Sequence, residues 1–177
     1  MKDGDSAFAH GDYGVARQSF QKAWQIAQGL PANAPIRYDI LKRLAATSVA
    51  SGQFAEAERY LESAVEWRES NLGPKDPKIL DDLLLSINLE LRTKDFNQAL
   101  ATAQRVQAMH TAVYTADSLP VADDFLRIGQ IYRAEGKLQE AIHALITAYN
   151  LRMKLAGPLD PGLLPILDGF NEAAPSN

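Results

Sequence analysis

The chain has 177 residues, with 18 basic and 22 acidic side chains, a net charge of −4, 46% hydrophobic residues and no cysteine. These are values of a folded globular chain. The acidic balance speaks against a nucleic-acid partner, because displacing counterions needs an excess of cations. Without cysteine there is no disulfide, thiolate metal site or thiol nucleophile, and the choice between cytoplasm and periplasm stays open. No apolar run approaches the roughly 18 residues of a membrane span.

In chain order, the first expected element is a short helix from about Gly4 to His10, stopped at Gly11. A second helix follows with Tyr13, Ala16, Phe20 and Ala23 on one face. Pro35 opens the next, with Leu41, Leu44, Ala45 and Ser48, and Gly52 ends it. Phe54, Ala57, Leu61, Ala64 and Val65 then keep steps of three and four, which align them along one helix face. Pro77 introduces a segment from Asp81 to Arg92 that fits the same pattern only with a one-residue slip. Lys94 stands where the other units have Gly, and Phe96, Ala99, Ala103 and Val106 follow. Pro120 opens Phe125, Ile128, Gly129 and Tyr132. Gly136 ends that helix, and Leu138, Ala141, Leu145, Ala148 and Tyr149 form the next. Pro161 begins a last segment with Leu163, Leu164, Leu167 and Phe170, ending near Ala174.

The order is a repeat. The alanines 16, 57, 99 and 141 are spaced 41, 42 and 42 residues, and the prolines 35, 77, 120 and 161 are spaced 42, 43 and 41. A period of that size indicates stacked helical units. Glycine suits the left-handed end of each first helix, and proline suits the first turn of the next unit. Asp76 and Asp160 precede two of these prolines as candidate N-caps. Small residues at Ala45, Gly129 and the four alanines let paired helices approach closely, where a bulky side chain would overpack. Expected units run over 1–34, 35–76, 77–119 and 120–160. A partial fifth unit or cap covers 161–174, all within one domain, 1–177. The incomplete units at both ends suggest a piece of a longer protein.

These residues resemble the tetratricopeptide repeat. Phe125, Ile128, Gly129, Tyr132, Gly136, Leu138, Ala141, Leu145 and Ala148 follow its pattern through a whole unit. The unit at 35–76 does so except at Ser48, where the family has Tyr. A period near 42 is longer than the usual 34 residues and is similar to the long repeats of kinesin light chains. The resemblance implies an all-α fold: an α-solenoid of antiparallel helix pairs wound as a superhelix, with about four repeats and a C-terminal capping helix. It also implies a scaffold for proteins or peptides rather than an enzyme.

The residues agree on chemistry. His10, His110 and His143 are isolated, which makes a poor metal case. Phosphate-loop, dinucleotide and nucleophile-elbow motifs are absent, so no catalytic residue, cofactor or metal is expected. Carried over by register, the first helices would line a groove with Lys42, Arg43, Leu84, Asn88, Arg92, Leu126, Arg127, Gln130 and Arg133 as candidate contacts. An acidic-hydrophobic peptide suits such a set, because arginine pairs with carboxylates bidentately. Neither the carboxylate clamp nor the paired asparagines of known peptide-binding modes of the family are present. Two alternatives stand beside groove binding. In one, the cations are neutralised within the chain by Asp39, Asp81 and Asp123, leaving a solvated rim. In the other, the chain is an architectural or regulatory module of a larger protein, self-associating through its terminal helices, with an unused groove.

Overall fold

Glycine and proline punctuate the chain where the structure turns. The computed structural model describes residues 1–173, which contain nine α-helices and one 3-10 turn. The helices are α1 (Lys2–Ala9), α2 (Tyr13–Ala27), α3 (Pro35–Ala50), α4 (Phe54–Leu72), α5 (Ile79–Thr93), α6 (Phe96–Tyr114), α7 (Leu119–Glu135), α8 (Leu138–Ala156) and α9 (Leu164–Ala173); the 3-10 turn, Pro161–Leu163, precedes α9. The expected last segment thus ends at Ala173, and position 174 lies outside the described residues.

Gly11, Gly52 and Gly136 end α1, α3 and α7 at φ of +83°, +74° and +87°. Only a residue without a Cβ enters that region freely. Lys94 makes the same turn after α5 at φ +61°. Pro35 is the first residue of α3, Pro120 lies in the first turn of α7, and Pro161 opens the 3-10 turn. Of the two expected aspartate caps, Asp76 Oδ1 accepts from the Lys78 amide at 2.9 Å in the turn before α5, which starts at Ile79, whereas Asp160 caps the 3-10 turn, its Oδ1 accepting from the Gly162 amide at 3.0 Å. Asp95 caps α6 in the same way, accepting from the Gln98 amide at 3.1 Å.

The chain packs as two compact units, Met1–Thr93 and the residues from Lys94 onward. In the first unit each helix packs on the next, from α1 to α5. Its core joins Ala16, Phe20 and Ala27 of α2 to Ile40 and Leu44 of α3, flanked by Trp24 and Tyr60. Full burial of a side chain such as Phe20 stabilises by about 1.5–3 kcal/mol. Gly4 is the small residue of the first helix pair, since a Cβ there would lie 2.6 Å from Phe20 Cε1. In the second unit α6 packs on α7 and α7 on α8, while α9 closes against both α7 and α8. Its core contains Leu145, Ala148 and Ile166 with Phe125 and Phe170 beside them. Gly129 permits the α7–α8 approach, because a Cβ there would meet Leu145 Cγ at 3.0 Å and the Ala141 carbonyl at 3.3 Å.

The one-residue slip expected in α5 is absent. Asp82 and Leu83 are buried one repeat after Ile40 and Leu41, and Leu89 is buried one repeat after Thr47. What changes is the order of large and small. Leu44-Ala45 in α3 becomes Ser86-Ile87 in α5, and Ile87 is fully buried. The apolar volume moves by one position while the helix keeps its register.

Candidate functional site

Exposed residues on α5 recur at Asp81, Leu85, Asn88 and Arg92. Steps of four, three and four put them on one face. One repeat earlier, α3 presents Asp39, Arg43, Ala46 and Val49 at or beside the same positions. In the second unit α7 presents Asp123, Arg127 and Gln130.

The nine candidate contacts divide sharply on these faces. Lys42 is committed: its Nζ lies 2.6 Å from Asp82 Oδ1. Arg43 is tied to α1 through Asp5, with Nε 2.6 Å from Oδ1. Arg127 lies 3.8 Å from Asp124 Oδ1, and Arg133 pairs with Glu172 of α9. Arg92 is exposed and stands over the Phe54 ring, 5.6 Å from its centroid. Leu84 is half-buried, whereas its neighbour Leu85 is 47% exposed. Leu126 packs against the Leu145–Ala148–Ile166 core. Asn88 and Gln130 are exposed, one repeat apart, and neither side chain has a hydrogen-bond partner among the described residues.

The cations are thus largely held inside their own units, but by other acids than the neighbours anticipated from sequence. Asp82 is the centre of the first unit's clamp. Its side chain is 1% exposed and gathers three donors from two other helices. Lys42 and Tyr38 come from α3, with the Tyr38 hydroxyl 3.1 and 3.2 Å from the two oxygens. Arg68 comes from α4, its Nη1 3.1 Å from Oδ2. The Arg68 guanidinium also lies over the Tyr38 ring at 4.2 Å. Burial, with the Asp82 charge adding to it, pushes the Tyr38 hydroxyl well above the usual tyrosine range. Beside the clamp, the Trp67 ring lies 5.8 Å from Tyr38 and donates to the Ala32 carbonyl at 2.9 Å.

Asp124 takes the same place in α7, one repeat later, and is held by His110 of α6 at 2.8 Å. Arg152, one repeat after His110, turns to Asp160 at 2.6 Å and also to Asp123. The sequence contains the signal for these clamps. The column Ile40, Asp82, Asp124, Ile166 is apolar at its ends and acidic in the middle. The column Ala27, Arg68, His110, Arg152 varies with it, and its two middle members pair with the two aspartates.

The charged clamps are structural in geometry, with every acid facing a cation rather than a cleft. Among the described residues no group of three or more His, Cys, Asp or Glu side chains is placed to hold a metal ion. No described helix is long and apolar enough to cross a membrane.

Comparison with known proteins adds two kinds of likeness. Residues 7–72 and 125–152 match tetratricopeptide-repeat families. Among solved structures, the chain is similar to a putative kinesin light chain with nearly identical TPR-like repeats from Podosopora anserina, at TM-score 0.76 and 19% identity, covering 96% of this chain and 81% of that one. BtubC (BKLC) from P. vanneervenii gives TM-score 0.69 at 18% identity, over 96% of this chain and 70% of that one. MamA gives 0.58 at 18%, over 98% and 93%. No curated protein sequence matches. At these identities the structures speak for the all-α solenoid fold.

Proposed function

The chain belongs to the tetratricopeptide-repeat family, and from that premise we propose that it binds a protein segment on the exposed first-helix faces of its units, without chemistry of its own. The family's repeats generally mediate protein–protein interaction, and the fold is typically a non-catalytic scaffold. The observation that carries the finer reading is the state of the polar groups on those faces. Lys42, Arg43 and Arg133 already have carboxylate partners, so a ligand carboxylate would have to displace an internal one. Asn88 and Gln130 are uncommitted, and a carboxamide both donates to and accepts from a peptide backbone. In the first unit Asn88 lies on the same stripe as exposed Leu85 and Arg92. An apolar side chain over Leu85, with main-chain hydrogen bonds to Asn88, fits this stripe better than the acidic part of the acidic-hydrophobic peptide expected from the sequence.

The test is selection from a displayed peptide library on the whole chain, followed by Leu85→Glu and Asn88→Ala variants. Loss of the selected peptide by both, with unchanged circular dichroism, supports the reading. Undiminished binding by both would sink it.

A second reading, assembly through the terminal helices, has its own observation. Leu167, which stands one repeat after Phe125 and two after Leu83, is 44% exposed on α9, and Leu164 is 64% exposed. They border a cleft of about 440 Å³ whose other wall includes Tyr149 and Met153 of α8. Concentration-dependent sedimentation that disappears in Leu164→Glu/Leu167→Glu would favour assembly, and monomeric behaviour throughout would remove it.

A further inference from the structure

His110 of α6 occupies the place held by Arg68 in α4 and by Arg152 in α8. Arg68 reaches buried Asp82 at 3.1 Å, and His110 Nδ1 reaches buried Asp124 at 2.8 Å. The two aspartates are equally desolvated, each with a side chain 1% exposed. They are not equally supplied. Asp82 has two permanent cations, Lys42 and Arg68, and a hydroxyl donor, Tyr38. Asp124 has one close partner, His110, and Arg127 stands off at 3.8 Å. Its Oδ1 accepts no hydrogen bond among the described residues.

We propose that the His110–Asp124 pair is a proton-operated latch between α6 and α7. The protonated imidazole supplies the charge that arginine supplies permanently at the equivalent clamp. The neutral imidazole can still donate Nδ1–H, but it leaves a desolvated carboxylate with no counter-charge closer than Arg127. Imidazole is the side chain that changes charge between about pH 5 and 8, and an unpaired buried charge is costly. The charged and titratable surroundings do not cancel the effect. From α6, the Tyr114 ring lies 6.0 Å from the His110 ring, tilted by 54°. From α7, Arg127 favours the carboxylate and Asp123 opposes it. From α8, Arg152 is bonded to Asp123, and Glu172 of α9 is engaged by Arg133. Burial holds the Asp124 carboxyl above the usual carboxylate range, with the His110 bond acting against it. That opposition is the pull of the pair itself, since a positive imidazole favours the ionised carboxylate. A contact that draws its charge from the imidazole is complete at lower pH and weakens as pH rises.

The two tryptophans, Trp24 and Trp67, both lie in the first unit, so their fluorescence reports on that unit. Amide hydrogen exchange of the whole chain, corrected for its intrinsic pH dependence, reports α6 and α7. Raising the pH from about 5.5 to about 8 should lower protection there roughly tenfold, which corresponds to about 1.4 kcal/mol of lost pairing. Tryptophan fluorescence during urea unfolding should show no matching shift. His110→Arg should remove the pH response of α6 and α7, while His10→Gln and His143→Gln should keep it. Equal protection of the wild type at both pH values would overturn the latch, as would a pH response that survives in His110→Arg. This latch does not depend on where a peptide binds.

Discussion

Lys42 Nζ and Asp82 Oδ1 lie 2.6 Å apart, joining a half-buried ammonium on α3 to a buried carboxylate on α5. With Arg68 as second cation, this clamp makes the cost of mutation depend on which side is removed. The Lys42→Met/Arg68→Met double variant leaves Asp82 charged and dry, and should destabilise the first unit by about 3–5 kcal/mol. Adding Asp82→Ile, the residue type found one repeat earlier at Ile40, should recover most of that loss. Urea midpoints followed by tryptophan fluorescence read both steps; a triple variant no more stable than the double would contradict the account.

The Tyr38 hydroxyl belongs to the same clamp. A tyrosine whose folded pKa is raised, here through burial and the Asp82 charge, holds its proton more tightly in the fold than in the unfolded chain. Its contribution is complete below the ordinary tyrosine value of about 10 and is lost as pH rises beyond it. Spectrophotometric titration should show one tyrosine that ionises only when the first unit unfolds in alkali. Tyr38→Phe should remove that delayed step.

Two residues occupy backbone conformations that the other units reserve for glycine. Thr115 ends α6 at φ 74°, ψ 165°, where Gly73 and Gly157 end α4 and α8. Such a conformation costs a β-branched residue about 1–3 kcal/mol. Thr115→Gly should therefore stabilise the second unit by about 1 kcal/mol after the added freedom of the unfolded chain is deducted. Lys94→Gly should show a smaller gain, and thermal unfolding monitored by circular dichroism tests both. A fall in midpoint for Thr115→Gly would mean that its side chain contributes more than the strain costs.

Close approach at Gly4 and Gly129 gives the opposite sign. Gly4→Val would drive a branched side chain into the buried Phe20 ring, and Gly129→Val would meet Leu145. Each should cost about 1–3 kcal/mol by overpacking. Circular dichroism during urea unfolding checks both, and tryptophan fluorescence gives a local reading of the first, because both tryptophans lie before Lys94.

The helix pairs were legible because their markers act locally. Gly52, Gly136 and Pro35 determine turns through their own backbones, and the alanine columns report close packing directly. Helix α5 was harder to read because the apolar bulk moved from the position of Leu44 to that of Ile87 while the register stayed put. Site chemistry was harder still. The sequence suggested Asp39, Asp81 and Asp123 as partners for the basic residues of the first helices, yet Arg43, Lys42 and Arg127 turn to Asp5, Asp82 and Asp124, and Asp123 is engaged by Arg152 of α8. With 3.6 residues per turn, a single step along a helix rotates a side chain by about 100°. That is enough to carry an aspartate from the rim to the core. Asp81 is exposed and Asp82 is buried for this reason.

The paired columns also bear on how the protein can change over time. Ala27 meets Ile40 in an apolar contact, Arg68 meets Asp82, and His110 meets Asp124. In these three pairs the second helix carries the complement of the first helix that follows it. Units of equal length could otherwise be duplicated, deleted or exchanged with little penalty. Here, joining the unit that ends in Ala27 to the helix that begins with Asp82's face would bury a lone carboxylate against a methyl group. The order of the repeats is written in charge, and a shuffled descendant would need compensating changes in both columns before it could fold.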